Sequence, residues 1–183
     1  MKRKLLILLF KSLSYMTAHY LLIILMLIII AIKVTAETEE KKKARDFTLR
    51  GLNGKNYILS ENIGKGPIII NFWATWCLPC YSEMKELKRI YGTYSNINLQ
   101  ILSISIDDVK TLSKVKMTVR SKKYPFTVLL DSNRGVYKKY QLSGVPHIFL
   151  IDKNGIIIYS HKGYKKGDEK ILEENLQAII KNE

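Results

Sequence analysis

Along the chain, runs of apolar residues follow three different periods, and each period predicts a different element. Pro67 to Trp73, PIIINFW, and Leu99 to Asp107, LQILSISID, are nearly continuous in hydrophobicity. Such runs mark strands covered on both faces, as in a central parallel sheet. Phe47 and Leu49 instead alternate with polar residues, and Asn53-Gly54 then turns the chain back into Tyr57 to Leu59. This predicts an amino-terminal hairpin. A spacing of three and four runs through Met84, Leu87, Ile90, Tyr91 and Tyr94, which predicts an amphipathic helix from about Cys80 to Tyr94, beginning at or just before the pair Cys77 and Cys80.

The second half repeats the alternation. Asp107 to Lys123 reads as a basic helix with Val109, Leu112, Val115 and Val119 on one face, leading into the strand FTVLLD, Phe126 to Asp131. A short helix over Gly135 to Tyr140 precedes GVPHIFLID, a turn at Lys153-Asn154-Gly155, the strand IIIYSH, and a closing helix from about Asp168 to Lys181. Strands and helices alternating at these lengths predict an α/β fold, a mixed sheet with helices on both faces whose last strands form an antiparallel hairpin. No internal repeat or low-complexity tract interrupts it.

The first 36 residues belong to a different physical class. Leu21 to Ile32 are twelve consecutive apolar residues, and Ser12 to Ile32 contain no lysine, arginine or acid. That length suits a transmembrane helix, with Lys2, Arg3, Lys4 and Lys11 on its cytoplasmic side. The same residues read as a signal peptide cleaved after Val34-Thr35-Ala36. The long region ahead of the apolar core, itself containing LLILLF, favours the uncleaved anchor. Either way the remainder is exported, to a compartment where disulfides persist. The organisation expected is an anchor or signal segment over 1–36, a charged linker over 37–45 and one domain over 46–183.

Charge narrows the function classes. Lysine and arginine number 30 against 16 acids in 183 residues, but the basic residues are scattered among the acids. The longest run, Lys41 to Lys43, lies beside Glu37, Glu39 and Glu40. A generally basic solvated surface is expected, with no nucleic-acid partner.

The two cysteines of the chain stand in NFWATWCLPC, residues 71 to 80. A disulfide at this spacing closes too small a loop to add much through chain entropy. A metal site would lack a second CxxC or paired histidines, having only His19, His147 and His161 to draw on. A redox pair fits the context better: unpaired N–H groups and the helix dipole favour a thiolate at Cys77, and Cys80, nearly one turn on, can resolve a mixed disulfide. Pro79 has no N–H to lose in a first turn, and Trp76 and Leu78 form an apolar rim.

These residues resemble the membrane-tethered thioredoxin-like proteins of the TlpA/ResA type. The likeness rests on the DFTL, LNGK and NFWATWCxPC elements of Ala44 to Ile90 and on GVPHIFLIDKNGIII, Gly144 to Ile158. It implies a thioredoxin-like fold with an inserted helix, Cys77 as nucleophile, Cys80 as resolving thiol, and no cofactor beyond this dithiol. It implies that Pro146 is a cis-proline beside the disulfide and that the Val145 backbone pairs with an extended substrate. Glu83 matches the family's acid one turn after the second cysteine, able to shuttle a proton if burial raises its pKa. The alternative is a solvated glutamate favoured by the helix dipole. Asn71 stands where cytoplasmic thioredoxins carry a buried aspartate, and His147 departs from the small hydroxyl residue usual after the cis-proline.

The function implied is that of an extracytoplasmic thiol:disulfide oxidoreductase that reduces protein disulfides. Apocytochrome c is the implied substrate, and a membrane thiol carrier of the CcdA/DsbD kind the implied electron donor. Two other readings compete: a disulfide-forming oxidase, and a copper(I) chaperone using Cys77, Cys80 and His147.

Overall fold

The computed structural model describes residues 19–30 and 42–181. The chain divides into two units, Met1–Glu40 and Lys41–Glu183. Of the first, residues 19–30 form one solvent-exposed helix, α1. Among the described residues no helix is long and apolar enough to cross a membrane. The rest of the expected anchor, the cleavage position after Ala36 and the expected linker as far as residue 41 lie outside the described residues.

In the second unit a seven-stranded mixed sheet has the order β2-β1-β5-β4-β3-β6-β7. Its strands are β1 (Thr48–Gly51), β2 (Asn56–Ile58), β3 (Ile68–Trp73), β4 (Gln100–Ser105), β5 (Thr127–Leu130), β6 (His147–Ile151) and β7 (Ile157–Lys162). The helices are α2 (Leu78–Thr93), α3 (Leu112–Lys122), α4 (Gly135–Lys139) and α5 (Asp168–Lys181). Strands β3, β4 and β5 run parallel, and the remaining pairings are antiparallel. All six residues of β3 are buried, as their nearly unbroken apolar run requires of a strand flanked by others in the interior of the sheet.

The expected hairpin forms with Leu49 opposite Tyr57. Gly54 takes φ +81° in its turn, a conformation that costs a residue without Cβ little. The β6–β7 turn is fixed by Asp152, whose carboxylate accepts from the N–H groups of Asn154 and Ile156. Lys42 and Ala44 pair with this hairpin through Ile157 N–H to Lys42 O and Ala44 N–H to Gly155 O, at 2.9 and 2.8 Å. Chain contacts with the domain thus begin ahead of residue 46.

Alternate residues of β3 face opposite sides of the sheet. Asn71 and Trp73 face α2, meeting Glu83 and Tyr81, while Phe72 meets Tyr137 and Tyr140 around α4. Helices α2 and α5 pack together on the first of these sides.

One expected helix begins later than its pattern suggests. Val109 lies in a separate 3-10 turn, 73% exposed, and α3 starts at Leu112 with Val115 as its buried residue. The cause is Asp108, whose carboxylate caps the turn by accepting from the N–H groups of Lys110 and Thr111.

Candidate active site

Strand β3 ends at Trp73, and four residues carry the chain over the top of the sheet into α2. Ala74 O accepts from Cys77 N–H at 3.1 Å, closing a turn. Asp107, buried just beyond β4, accepts from Thr75 N–H at 2.8 Å and Thr75 Oγ1–H at 2.6 Å, while Tyr81 O–H donates to Thr75 O at 2.8 Å. This clamp fixes the segment before Cys77. Its signal in the sequence was an aspartate closing a buried strand, which reads equally well as the start of a helix.

Cys77 is the N-cap residue of α2, with Pro79 in the first turn. Cys77 and Cys80 form a disulfide with Cα atoms 5.4 Å apart. In this oxidised state Cys77 is 4% exposed and Cys80 fully buried, so the outer sulfur is reached over a narrow opening. The rim around it is apolar and open, with Trp76 59% and Leu78 79% exposed. The Val145-Pro146 bond is cis, and β6 begins at the next residue.

Glu83 is buried, not solvated, because α2 turns its third residue after Cys80 toward β3. Asn71 Nδ2–H donates to Glu83 Oε2 at 2.5 Å, and Asn71 Oδ1 accepts from Ser103 Oγ–H at 3.0 Å. Loss of water pushes the Glu83 carboxyl up to about 8, against the stabilising bond from Asn71 and with a further rise from the charge of Asp168. At neutral pH it therefore holds its proton. The sequence placed Asn71 and Glu83 separately, and the fold joins them in one bond.

His147 takes the other side of the sheet. It sits opposite Phe72, stacks on Phe149 with ring centroids 4.8 Å apart, and its Nε2 meets Ser160 Oγ at 3.1 Å. Burial depresses its pKa to about 4. It is thus separated by the sheet from Asn71, Glu83 and α2, and the structure does not join it to the cysteines.

The pattern of the AhpC/TSA family matches residues 41–160. The chain is 35% identical over 138 residues to thiol-disulfide oxidoreductase ResA of Bacillus thuringiensis subsp. konkukian, covering 75% of this chain and 77% of that protein. The chain belongs to the AhpC/TSA family, as a ResA-like thiol-disulfide oxidoreductase. ResA of Geobacillus kaustophilus is 34% identical over 136 residues, covering 74% of this chain and 75% of its own. Among solved structures, a Chlorobium tepidum protein assigned as thiol:disulfide interchange protein DsbE superposes with a TM-score of 0.70 at 30% identity, covering 77% of this chain and 97% of that one. The resemblance carried by NFWATWCxPC thus extends over residues 41–160, and in this ResA-like chain the dithiol motif reads Cys-Leu-Pro-Cys.

Proposed function

We propose that this oxidoreductase works as a reductant of protein disulfides on the outer side of a cytoplasmic membrane. The observation that carries the reading is Glu83, buried one turn behind the cysteine pair at the start of α2, where loss of water pushes its carboxyl up to about 8. The Cys77 thiolate attacks a substrate disulfide, a Cys77–substrate bond forms, and the first substrate thiolate leaves and takes a proton. Cys80 then passes its proton to Glu83, left ionised when the preceding reduction of the disulfide gave its proton to Cys80, and attacks Cys77 Sγ, releasing the second substrate thiolate. Two electrons move to the substrate and the Cys77–Cys80 disulfide remains. A donor thiolate attacking Cys77 reverses this, and Glu83 returns its proton to Cys80 as that sulfur leaves.

Trp76 and Leu78 supply an apolar platform for the substrate, and the Val145 backbone beside Pro146 supplies the pairing edge. The apolar run Leu21 to Ile32, within a stretch from Ser12 free of lysine, arginine and acids, supports a membrane anchor and an extracytoplasmic domain. The ResA likeness supports apocytochrome c cysteines as substrate and a CcdA/DsbD-type carrier as electron donor. Cys80→Ala tests the reading, because mixed disulfides on Cys77 then persist. Recovery of a disulfide-bearing client bonded to Cys77 is expected, and recovery of no client would refute the reductant role.

A further inference from the structure

The Glu83 carboxyl shares a cleft with a second acid. The cleft lies between α2, β6, β7 and the start of α5, and Asp168 and His161 line it together with Glu83. Asp168 is itself 8% exposed. Its Oδ2 accepts from Lys165 N–H at 2.9 Å and meets His161 Nε2 at 3.2 Å.

The other polar groups facing Glu83 have different engagements. From α2, Glu86 pairs with Arg89 at 2.9 Å. From α5, Glu169 accepts from Tyr164 O–H and Gly167 N–H, both at 2.9 Å. Tyr159 of β7 stacks on His161 with ring centroids 6.2 Å apart, and Asn71 of β3 donates to Glu83. The charge of His161 in turn adds, after burial, to the lowering of the His147 pKa. Asp168 remains as the acid whose negative charge acts on Glu83 through the cleft.

Two carboxyl groups in one desolvated space do not ionise independently: one keeps its proton so that the other need not face a like charge. Donors to the ionised form decide which does which. Asp168 has a backbone N–H and the His161 ring nitrogen, whereas Glu83 has one amide donor and deeper burial. We propose that Asp168, seated by His161 and Lys165, is a positioning residue for Glu83, its negative charge in the shared cleft helping to keep the proton on the acid behind Cys80. This deepens the proposed function and rests on its reading of Glu83 as the proton carrier. An acid in the first turn of α5 that reaches back to the N–H three residues upstream, as in a capping box, accounts for its bond to Lys165 N–H. It does not account for a second buried carboxyl lining the cleft of Glu83.

The test is the titration of the Glu83 side-chain carboxyl in the oxidised full-length chain, followed by NMR of the labelled carboxyl carbon with Glu83→Gln for assignment. Asp168→Asn removes the charge and retains an acceptor, and Asp168→Ser is measured beside it for the same purpose. Glu83 is expected to titrate about one pH unit lower in both. Asp168→Glu, which restores the charge, and His161→Gln, which retains a donor, are expected to stay near the native value. An unchanged Glu83 titration in Asp168→Asn or Asp168→Ser would overturn the pairing while leaving Glu83 as the proton carrier. A native Glu83 already titrating near the ordinary glutamate value would instead remove the proton-carrier reading itself.

Discussion

Replacing Glu83 by glutamine is expected to stabilise the oxidised protein, by an amount that depends on pH in a defined way. Glutamine keeps an oxygen for Asn71 and imitates the protonated acid, so the variant measures what ionisation of Glu83 costs the fold. The carboxyl rises from 4.5 to about 8 on burial. That is a gap of about 3.5 pH units, and at about 1.4 kcal/mol per unit the ionised form is disfavoured by about 5 kcal/mol. Between pH 4.5 and 8 the folded protein holds a proton that the unfolded chain has released. Stability from this group is therefore complete below 4.5, falls as pH rises, and is lost above 8. The Gln variant should equal the native protein near pH 4.5, exceed it by about 3 kcal/mol at pH 7, and exceed it by about 5 kcal/mol above pH 8. Urea unfolding of both oxidised proteins across this range gives the difference directly. A difference independent of pH, or a glutamine variant less stable at pH 8, would refute the claim that Glu83 is held protonated by burial.

Other expectations follow from neighbouring residues. Asp107→Ala removes the acceptor that holds Thr75 by two short bonds, and a loss of about 3 kcal/mol is expected in the same unfolding assay, with slower reaction at Cys77. His147 has its pKa lowered to about 4 by burial, so its ring should stay neutral by NMR down to about pH 5 and stability should fall as pH drops from 6.5 toward 4. Because His147 lies across the sheet from α2, His147→Ala should leave the copper(I) affinity of the reduced protein unchanged. Leu78→Asp should change stability by less than about 0.5 kcal/mol, since Leu78 is 79% exposed, while slowing the reduction of apolar disulfide peptides several-fold.

Much of the fold can be read from hydrophobic periods, because the strands that carry it are long or sharply bounded. The run at Ile68 to Trp73 becomes a buried interior strand, and Asn53-Gly54 and Asn154-Gly155 set the two hairpins. The start of α3 escapes this kind of reading: Val109 has the right spacing for a buried face, but the cap at Asp108 wins locally. At the site, Cys77, Cys80 and Pro146 announce themselves through spacing and residue type. The environment of Glu83 does not, since its burial depends on a rotation of α2 toward Asn71 and on the approach of β7 and α5, elements some 80 residues away in sequence. Asp107, Asp168 and His161 act through contacts between distant segments, and no periodicity marks such contacts.

The most direct test of the reductant claim is the reduction potential of Cys77–Cys80, measured by equilibrating the protein with defined thiol–disulfide mixtures and trapping free thiols. Oxidising members of this chemistry owe their potential to a strongly stabilised thiolate in the reduced form. Here Cys77 and Cys80 are 4% and 0% exposed, and an acid held protonated by burial lies one turn behind them. A potential more reducing than about −200 mV is expected. A value near −120 mV, in the range of dedicated oxidants, would contradict it.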